Sequence, residues 1–303
     1  MPGGAANLVA RLRRQQLVVV TGKGGTGKST VSAALGRLLA ARGRRVLLLE
    51  LDPRENLHHL LDVPPSGGEI VEARARLRLQ NVQPLRVIEG LVRDRLKVQA
   101  LVSRVLRSPI FQHFVEGGPG FKELAVLVHA LGLVRRAGAD GADVVVLDAP
   151  ATGHGVSLLL APVLVAQAIP HGPVGHLAHE VAALVSDPAR CGVVVVTSAE
   201  EMPVQESLEL ITLLRERLDR TPETVVINGL YPAPPSGAGA GAGAGSDAAP
   251  ALRLWRERRA TGERELARLA AAWTGPTVEL PLLALERGPE IVAALEELLG
   301  AAA

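Results

Sequence analysis

Five stretches of the chain are almost uninterrupted Val and Leu: LVVVTG (17–22), RVLLLELD (45–52), DVVVLDAP (143–150), GVVVVTSAE (192–200) and TVVINGL (224–230). A strand with one wet face alternates apolar and polar residues. Strands that are apolar on both faces must be covered on both, which is the pattern of a parallel sheet between two helix layers. Helical patterns fill the gaps. KSTVSAALGRLLAARG (28–43) ends at Gly43, a C-cap residue, and PVQESLELITLLRERLD (203–219) carries Pro203 near its first turn. The alternation predicts an α/β fold, a doubly wound and mostly parallel sheet with right-handed crossovers, built as a single domain over 1–303.

Two segments break the rhythm. Residues 90–136 hold no strand-like run and are expected to form a helical subdomain inserted into the α/β body, interrupted around GGPG (117–120). Residues 232–250, PAPPSGAGAGAGAGSDAAP, have too little apolar surface to order themselves and are expected to form a flexible loop. A helix rich in Arg and Glu (251–273), a strand-like TVEL and a last helix (289–299) complete the pattern.

Between the first strand and the first long helix lies TGKGGTGKST (21–30). Only four residues of the chain are lysine (23, 28, 97 and 122), and two of them sit in this loop. A sequence that uses arginine nearly everywhere else points here to a need for a compact point charge on a slim stem. Gly22 to Ser29 fits G-x-x-x-x-G-K-[ST], with a strand before it and a helix after it, the context that a P-loop requires. Gly22, Gly24, Gly25 and Gly27 permit the tight turn. With Thr26 they bring backbone N–H groups to phosphate oxygens, and the helix N-terminus adds its dipole. Lys28 is placed to neutralise the β- and γ-phosphates, Ser29 to ligate Mg²⁺ and Thr30 to donate to the α-phosphate. The metal also needs a strand-end carboxylate, normally through water, and Asp148 at the end of DVVVLDAP is the natural candidate. Asp52, at the end of RVLLLELD, is the candidate to orient a hydrolytic water and to stand in the Mg²⁺ shell. Its alternative role is to cap the ENLHHLL segment.

Composition removes several classes of partner. Lys and Arg number 33 against 31 Asp and Glu, so the net charge of +2 leaves no broad basic face, and aromatics are 2% of residues. Stacking platforms for single-stranded nucleic acid are thereby nearly excluded, and no nucleic-acid partner is expected. The lone Cys191 heads an apolar run and reads as a small buried residue. It offers no disulfide framework, which fits a reducing cytoplasm. The N-terminal stretch lacks the apolar segment of a signal peptide, and VSLLLAPVLVAQAI is too short and interrupted to span a bilayer. A cytoplasmic location is expected, with any membrane involvement indirect.

Taken together, the motifs resemble those of the arsenical-pump ATPase ArsA and its relative that targets tail-anchored membrane proteins, within the SIMIBI class of P-loop NTPases. TGKGGTGKST resembles their deviant Walker A loop, and Asp148-Ala-Pro-Ala-Thr-Gly153-His154 resembles their DTAPTGH element. ELDPRENL (50–57) is similar to their switch I, VVINGLYP (225–232) to the adenine-contacting segment, and ELPLLALERG (279–288) to the C-terminal loop beside the base. The resemblance implies an ATPase using ATP and Mg²⁺, with Asn228 and Pro281 at the adenine. Gly153 and His154 lie in a switch, His154 as either a relay or a structural turn residue. It also implies that Lys23 reaches across a homodimer to the partner's phosphates, like an arginine finger supplied in trans.

The chain departs from that family in two places. With one cysteine it offers no three-thiolate metalloid site, and 232–250 has no CxxC pair, so no zinc clamp is expected. Its two Met, at 1 and 202, lie outside the helical insertion, whereas Phe111, Phe114 and Phe121 all fall inside it. These Phe read first as the core of that subdomain and alternatively as an apolar partner surface. The leading expectation is a nucleotide-switched homodimer handling a protein client, hydrophobic in one reading and linked to membrane-protein targeting. The alternatives are an arsenite or oxyanion pump-driving subunit and a partition or positioning ATPase of the ParA/MinD type. The last lacks support from the acidic PEIVAALEELLGAAA and the even charge balance.

Overall fold

In the computed structural model, residues 8–96, 108, 118, 120–136, 138, 141–150, 154–233 and 248–301 are described. The strands are β1 (Leu17–Thr21), β2 (Val46–Glu50), β3 (Val71–Arg74), β4 (Leu77–Asn81), β5 (Val144–Asp148), β6 (Cys191–Thr197), β7 (Thr224–Leu230) and β8 (Thr277–Pro281). They form one eight-stranded sheet in the order β3-β4-β2-β5-β1-β6-β7-β8. Every pairing is parallel except that of the edge strand β3, which runs antiparallel to β4. The helices are α1 (Leu8–Leu12), α2 (Lys28–Ala41), α3 (Asn56–Leu61), α4 (Pro84–Leu96), α5 (Phe121–Arg135), α6 (His154–Ala168), α7 (Gly172–Ser186), α8 (Glu201–Leu218), α9 (Ala248–Ala272) and α10 (Pro289–Ala301).

Each central strand feeds two cores, because successive side chains point to opposite faces. Val18, Val20, Leu48, Val146 and Val194 pack with Val31 and Leu35 of α2 and Val292 and Leu295 of α10. Leu17, Val19, Leu47, Val145 and Val193 pack with residues of α5 to α9 on the other side. All five positions of β1, β2 and β5 are buried, as their unbroken apolar runs require. Cys191 opens β6 as a fully buried residue. α2 stops where Gly43 adopts φ +88° and returns its N–H to the Ala40 carbonyl, 2.9 Å away. Only a residue without a Cβ enters that conformation cheaply.

Two features differ from the sequence expectation. β3 and β4 arise from VEARARLRLQN, where charged residues alternate with apolar ones. This is the half-wet pattern of a sheet edge, which a search for continuous apolar runs passes over. α9 begins at Ala248, so the last three residues of the 232–250 stretch are helical, while 234–247 lie outside the described residues. Of the 90–136 insertion, the end of α4 and the whole of α5 are described. Phe121 opens α5 half-buried against the core, and Phe111 and Phe114 lie outside the described residues. Among the described residues, no helix is long and apolar enough to cross a membrane.

The parallel strands place their carboxyl ends on one edge of the sheet. β1 sits between β5 and β6, so the strand order reverses beside it, and the loop after β1 opens into the crevice where such sheets bind ligands. The central sheet layer should dominate stability. Leu48→Ala, at a fully buried position, is expected to cost about 2–5 kcal/mol in chemical denaturation, whereas Leu254→Ala, 57% exposed, should change it by about 0.5 kcal/mol or less.

Candidate phosphate-binding site

The loop after β1 is fixed by backbone contacts. Gly22 has φ +142°, and a Cβ there would collide with the Val196 carbonyl of β6. Thr26 is buried, with Oγ1 2.9 Å from the Lys23 carbonyl and 3.1 Å from the Val196 carbonyl, so one hydroxyl ties the loop to itself and to the sheet. Gly24 and Gly25 form the exposed tip. Gly27 adopts φ +90° as the N-cap of α2 and has no room for a Cβ beside the Asn228 amide. Asn228 Nδ2 donates to the Thr26 carbonyl at 2.9 Å, so this residue braces the loop from β7.

Both loop lysines are engaged with the protein. Lys28 is 7% exposed, and its Nζ donates to the Lys23 carbonyl at 3.0 Å. Burial lowers the pKa of its ammonium, while the charges of Asp148, Asp52 and Glu206 oppose that shift. Lys23 extends the other way and forms an ion pair with Glu206 of α8.

Ser29 and Asp148, both candidates from the sequence, lie in contact. Ser29 Oγ donates to Asp148 Oδ2 at 2.6 Å, and Ser32 Oγ, one helical turn along, donates to Oδ1 at 3.0 Å. Thr30 is the next residue of α2 and is half-buried. Burial pushes the Asp148 carboxyl up to about 6, against the two hydroxyl donors and Lys28. A hydroxyl and a carboxylate are the hard oxygen donors that suit Mg²⁺, which takes few protein ligands when substrate phosphates complete its shell.

Asp52 is half-buried just beyond the end of β2. It accepts from the Arg54 N–H at 2.9 Å and from Asn56 Nδ2 at 3.2 Å. Its field acts on Lys28, Asp148 and Glu50, which places it at the same crevice. The capping role open to Asp52 falls to Glu50 instead. The buried Glu50 carboxylate accepts from the N–H groups of Asn56 (2.6 Å) and Leu57 (3.2 Å) at the start of α3. Glu50 is the register partner of Asp148 across β2 and β5, and burial lifts its pKa to about 7. Sequence reasoning missed it; the available signal was a charged residue closing an otherwise apolar strand, two positions before Asp52. The segment from Asp52 to Asn56 is tied further. Asn81 donates to the Asp52 carbonyl at 2.6 Å, and Arg287, in the loop after β8, donates to Asn56 Oδ1 at 3.0 Å. Gly153 lies outside the described residues; His154 opens α6, and its side chain lies outside them too.

A cavity of about 340 Å³ opens at the ends of β6, β7 and β8. Ser198, Gly229, Tyr231 and Pro281 contribute to its wall, and α9 closes it with Arg259 and Leu266. Arg259 donates to the Tyr231 carbonyl at 2.9 Å, and Tyr231 meets Trp255 edge to face with ring centroids 5.1 Å apart. Pro281, predicted at a base, lines this cavity, and Asn228 directly precedes the lining Gly229.

The family model of anion-transporting ATPases (ArsA ATPases) matches residues 15–171, from the start of β1 to the end of α6. The chain is 31% identical over 239 residues to the ATPase BagA of Mycobacterium tuberculosis (strain ATCC 25618 / H37Rv), covering 76% of this chain and 70% of that protein. It is 29% identical over 232 residues to the arsenical pump-driving ATPase of Acidiphilium multivorum, covering 70% of this chain and 39% of that one. To the ATPase ASNA1 homolog 1 of Paramecium tetraurelia it is 25% identical over 151 residues, covering 48% and 43%.

The two raised carboxyls give the site a pH signature. Glu50 and Asp148 rise from ordinary values of 4.5 and 3.8 to about 7 and about 6, so between those limits the folded chain binds more protons than the unfolded one. Stability is therefore greatest at the acid end of this window and falls as pH rises through the folded-state values. In nucleotide-free protein with a chelator present, denaturation at pH 5 and pH 7.5 should show the wild type losing more stability over that interval than Glu50→Gln. Equal pH dependence in the two proteins would contradict the assignment of Glu50.

Proposed function

The chain belongs to the anion-transporting ATPase family and is an ATP hydrolase; from that premise we propose that it works as a Mg²⁺-dependent, nucleotide-switched homodimer acting on a protein client. The observation that carries the reading is the Ser29–Asp148 contact at the N-terminus of α2, beside a loop with two lysines. In this reading 1–303 is a single ATPase domain carrying the 90–136 insertion and the 232–250 loop. Gly22 to Thr30 wrap the phosphates, Lys28 turns from the Lys23 carbonyl to the β- and γ-phosphates, and the helix dipole adds to its pull. Ser29 and, through water, Asp148 would hold Mg²⁺, with Asp52 at the edge of its shell. There the ion would neutralise charge on the phosphoryl group in flight. The adenine enters the cavity between β7, β8 and α9, with Asn228 and Pro281 at its edge.

Asp52 orients the attacking water; Asn81 holds its backbone carbonyl and Asn56 its carboxylate, which sets the carboxylate's place relative to the loop. Glu50 fixes the start of α3, so a change at the γ-phosphate passes from Asp52 into a helix that is anchored at its first turn. Gly153 and His154, following Asp148, form the second switch. Lys23 completes the partner's site in trans and thereby couples turnover to dimer closure.

A protein client is favoured over a metalloid. Cys191 is the only thiol of the chain, and burial pushes its pKa up, away from the thiolate that a metalloid requires. The cytoplasm is the proposed location, with membrane contact only through the client.

Nucleotide binding and turnover separate the roles of the loop residues. Lys28→Ala should weaken ATP binding by on the order of tenfold or more, since a buried charge-assisted contact is lost. Lys23→Ala should bind ATP nearly as the wild type does while turnover falls by on the order of a hundredfold or more, and Asp52→Asn should behave the same way. Turnover that survives Lys23→Ala would contradict the proposed lysine role.

A further inference from the structure

Lys23 is a scarce residue type in this chain, and it does not point freely into solvent. Its ammonium pairs with the carboxylate of Glu206, on the second turn of α8. Both side chains are 28% exposed, so the pair is partly shielded from water yet open on one side. Glu206 also contributes to the field at Lys28, beside Asp148 and Asp52, so its charge acts on both lysines of the loop.

We infer that Glu206 is a positioning residue that parks Lys23 within its own subunit, so that this lysine must exchange Glu206 for the partner's phosphate when two subunits close. The inference rests on the trans role proposed above for Lys23. Glu206 cannot follow the lysine as it leaves. α8 is anchored to the core on both sides of this residue by Val204, Ser207 and Leu210, all buried, and Gln205 is bonded to Arg268 of α9. The carboxylate therefore stays behind as the lysine swings out.

The parked pair has two consequences. A single subunit keeps its trans cation away from its own phosphates, which limits turnover before closure. Closure also has to replace an existing ion pair, so Glu206 raises the nucleotide and protein concentrations at which dimers form. An ion pair at this exposure corresponds to a factor of about two to five in an equilibrium constant.

Sedimentation of the full chain with Mg²⁺ and a non-hydrolysable ATP analogue tests this across a range of protein concentrations. Wild type is compared with Glu206→Gln, Lys23→Ala and the double variant. Glu206→Gln keeps the shape of the side chain and removes only its charge, and thermal unfolding checks that each variant is folded. The expected result is that Glu206→Gln lowers the half-dimerisation concentration by about two- to fivefold, and that the same change has no effect once Lys23 is Ala. No shift in Glu206→Gln would overturn the inference and leave the trans lysine standing. An equal shift with and without Lys23 would also overturn it, because Glu206 would then act only as a general negative charge. Dimerisation and turnover of Lys23→Ala at wild-type levels would remove the trans role, and the parking role with it.

Discussion

Asp148 is the group on which the site depends. It closes β5 at the centre of the sheet, and its two oxygens take the hydroxyls of Ser29 and Ser32 from consecutive turns of α2. A buried carboxylate without such donors would be costly, so the hydroxyls both satisfy it and set the rotation of α2 against the sheet. That rotation aims the N-terminus of α2 and its preceding loop at the crevice. Gly22 against Val196 and Asn228 against Thr26 then fix the loop from β6 and β7. The loop is therefore rigid because three strands hold it.

The charges around it are unequal. Asp148, Asp52 and Glu206 act on the Lys28 ammonium, Glu206 also pairs with Lys23, and burial raises the pKa of Glu50 and Asp148. A triphosphate entering this crevice would add further negative charge. In the proposed cycle a divalent cation must arrive with it, and both lysines must leave protein oxygens for phosphate oxygens. The resting contacts of Lys28 with the Lys23 carbonyl and of Lys23 with Glu206 are the internal substitutes that this exchange displaces. The chain thus holds its loop in shape before substrate arrives, at the cost of a competition that substrate must win.

Much of this was legible in the sequence, for identifiable reasons. Continuous Val and Leu runs can only be doubly covered strands, so β1, β2, β5, β6 and β7 were located by composition alone. The loop was legible because its glycines and lysines serve backbone geometry and point charge, which few other residues supply. Ser29 and Asp148 were singled out by the chemistry of a hard cation, and the structure brings the two side chains into contact. β3 and β4 were not legible as strands, because β3 at the edge and β4 beside it both carry charged or polar residues on one face and their period-two pattern is short. Glu50 was hidden for the opposite reason. A charge inside an apolar run looks like the end of a strand, and its partner Asp148 is set by sheet register, which a sequence does not display. The Lys23–Glu206 pair joins residues 183 positions apart, so only the packing of α8 against the loop reveals it.

The central claim is that one subunit's Lys23 completes the other's site, and complementation between two inactive variants tests it most directly. Lys23→Ala and Asp52→Asn are purified separately, mixed, and assayed for ATP hydrolysis. If the lysine acts in trans, a mixed dimer carries one site with an intact Asp52 and an intact lysine from the opposite chain, and mixing restores turnover that neither variant has alone. If the lysine acts within its own subunit, no mixed dimer contains an intact site. Turnover that stays at the level of the separate variants, in mixtures shown to contain mixed dimers, would contradict the account.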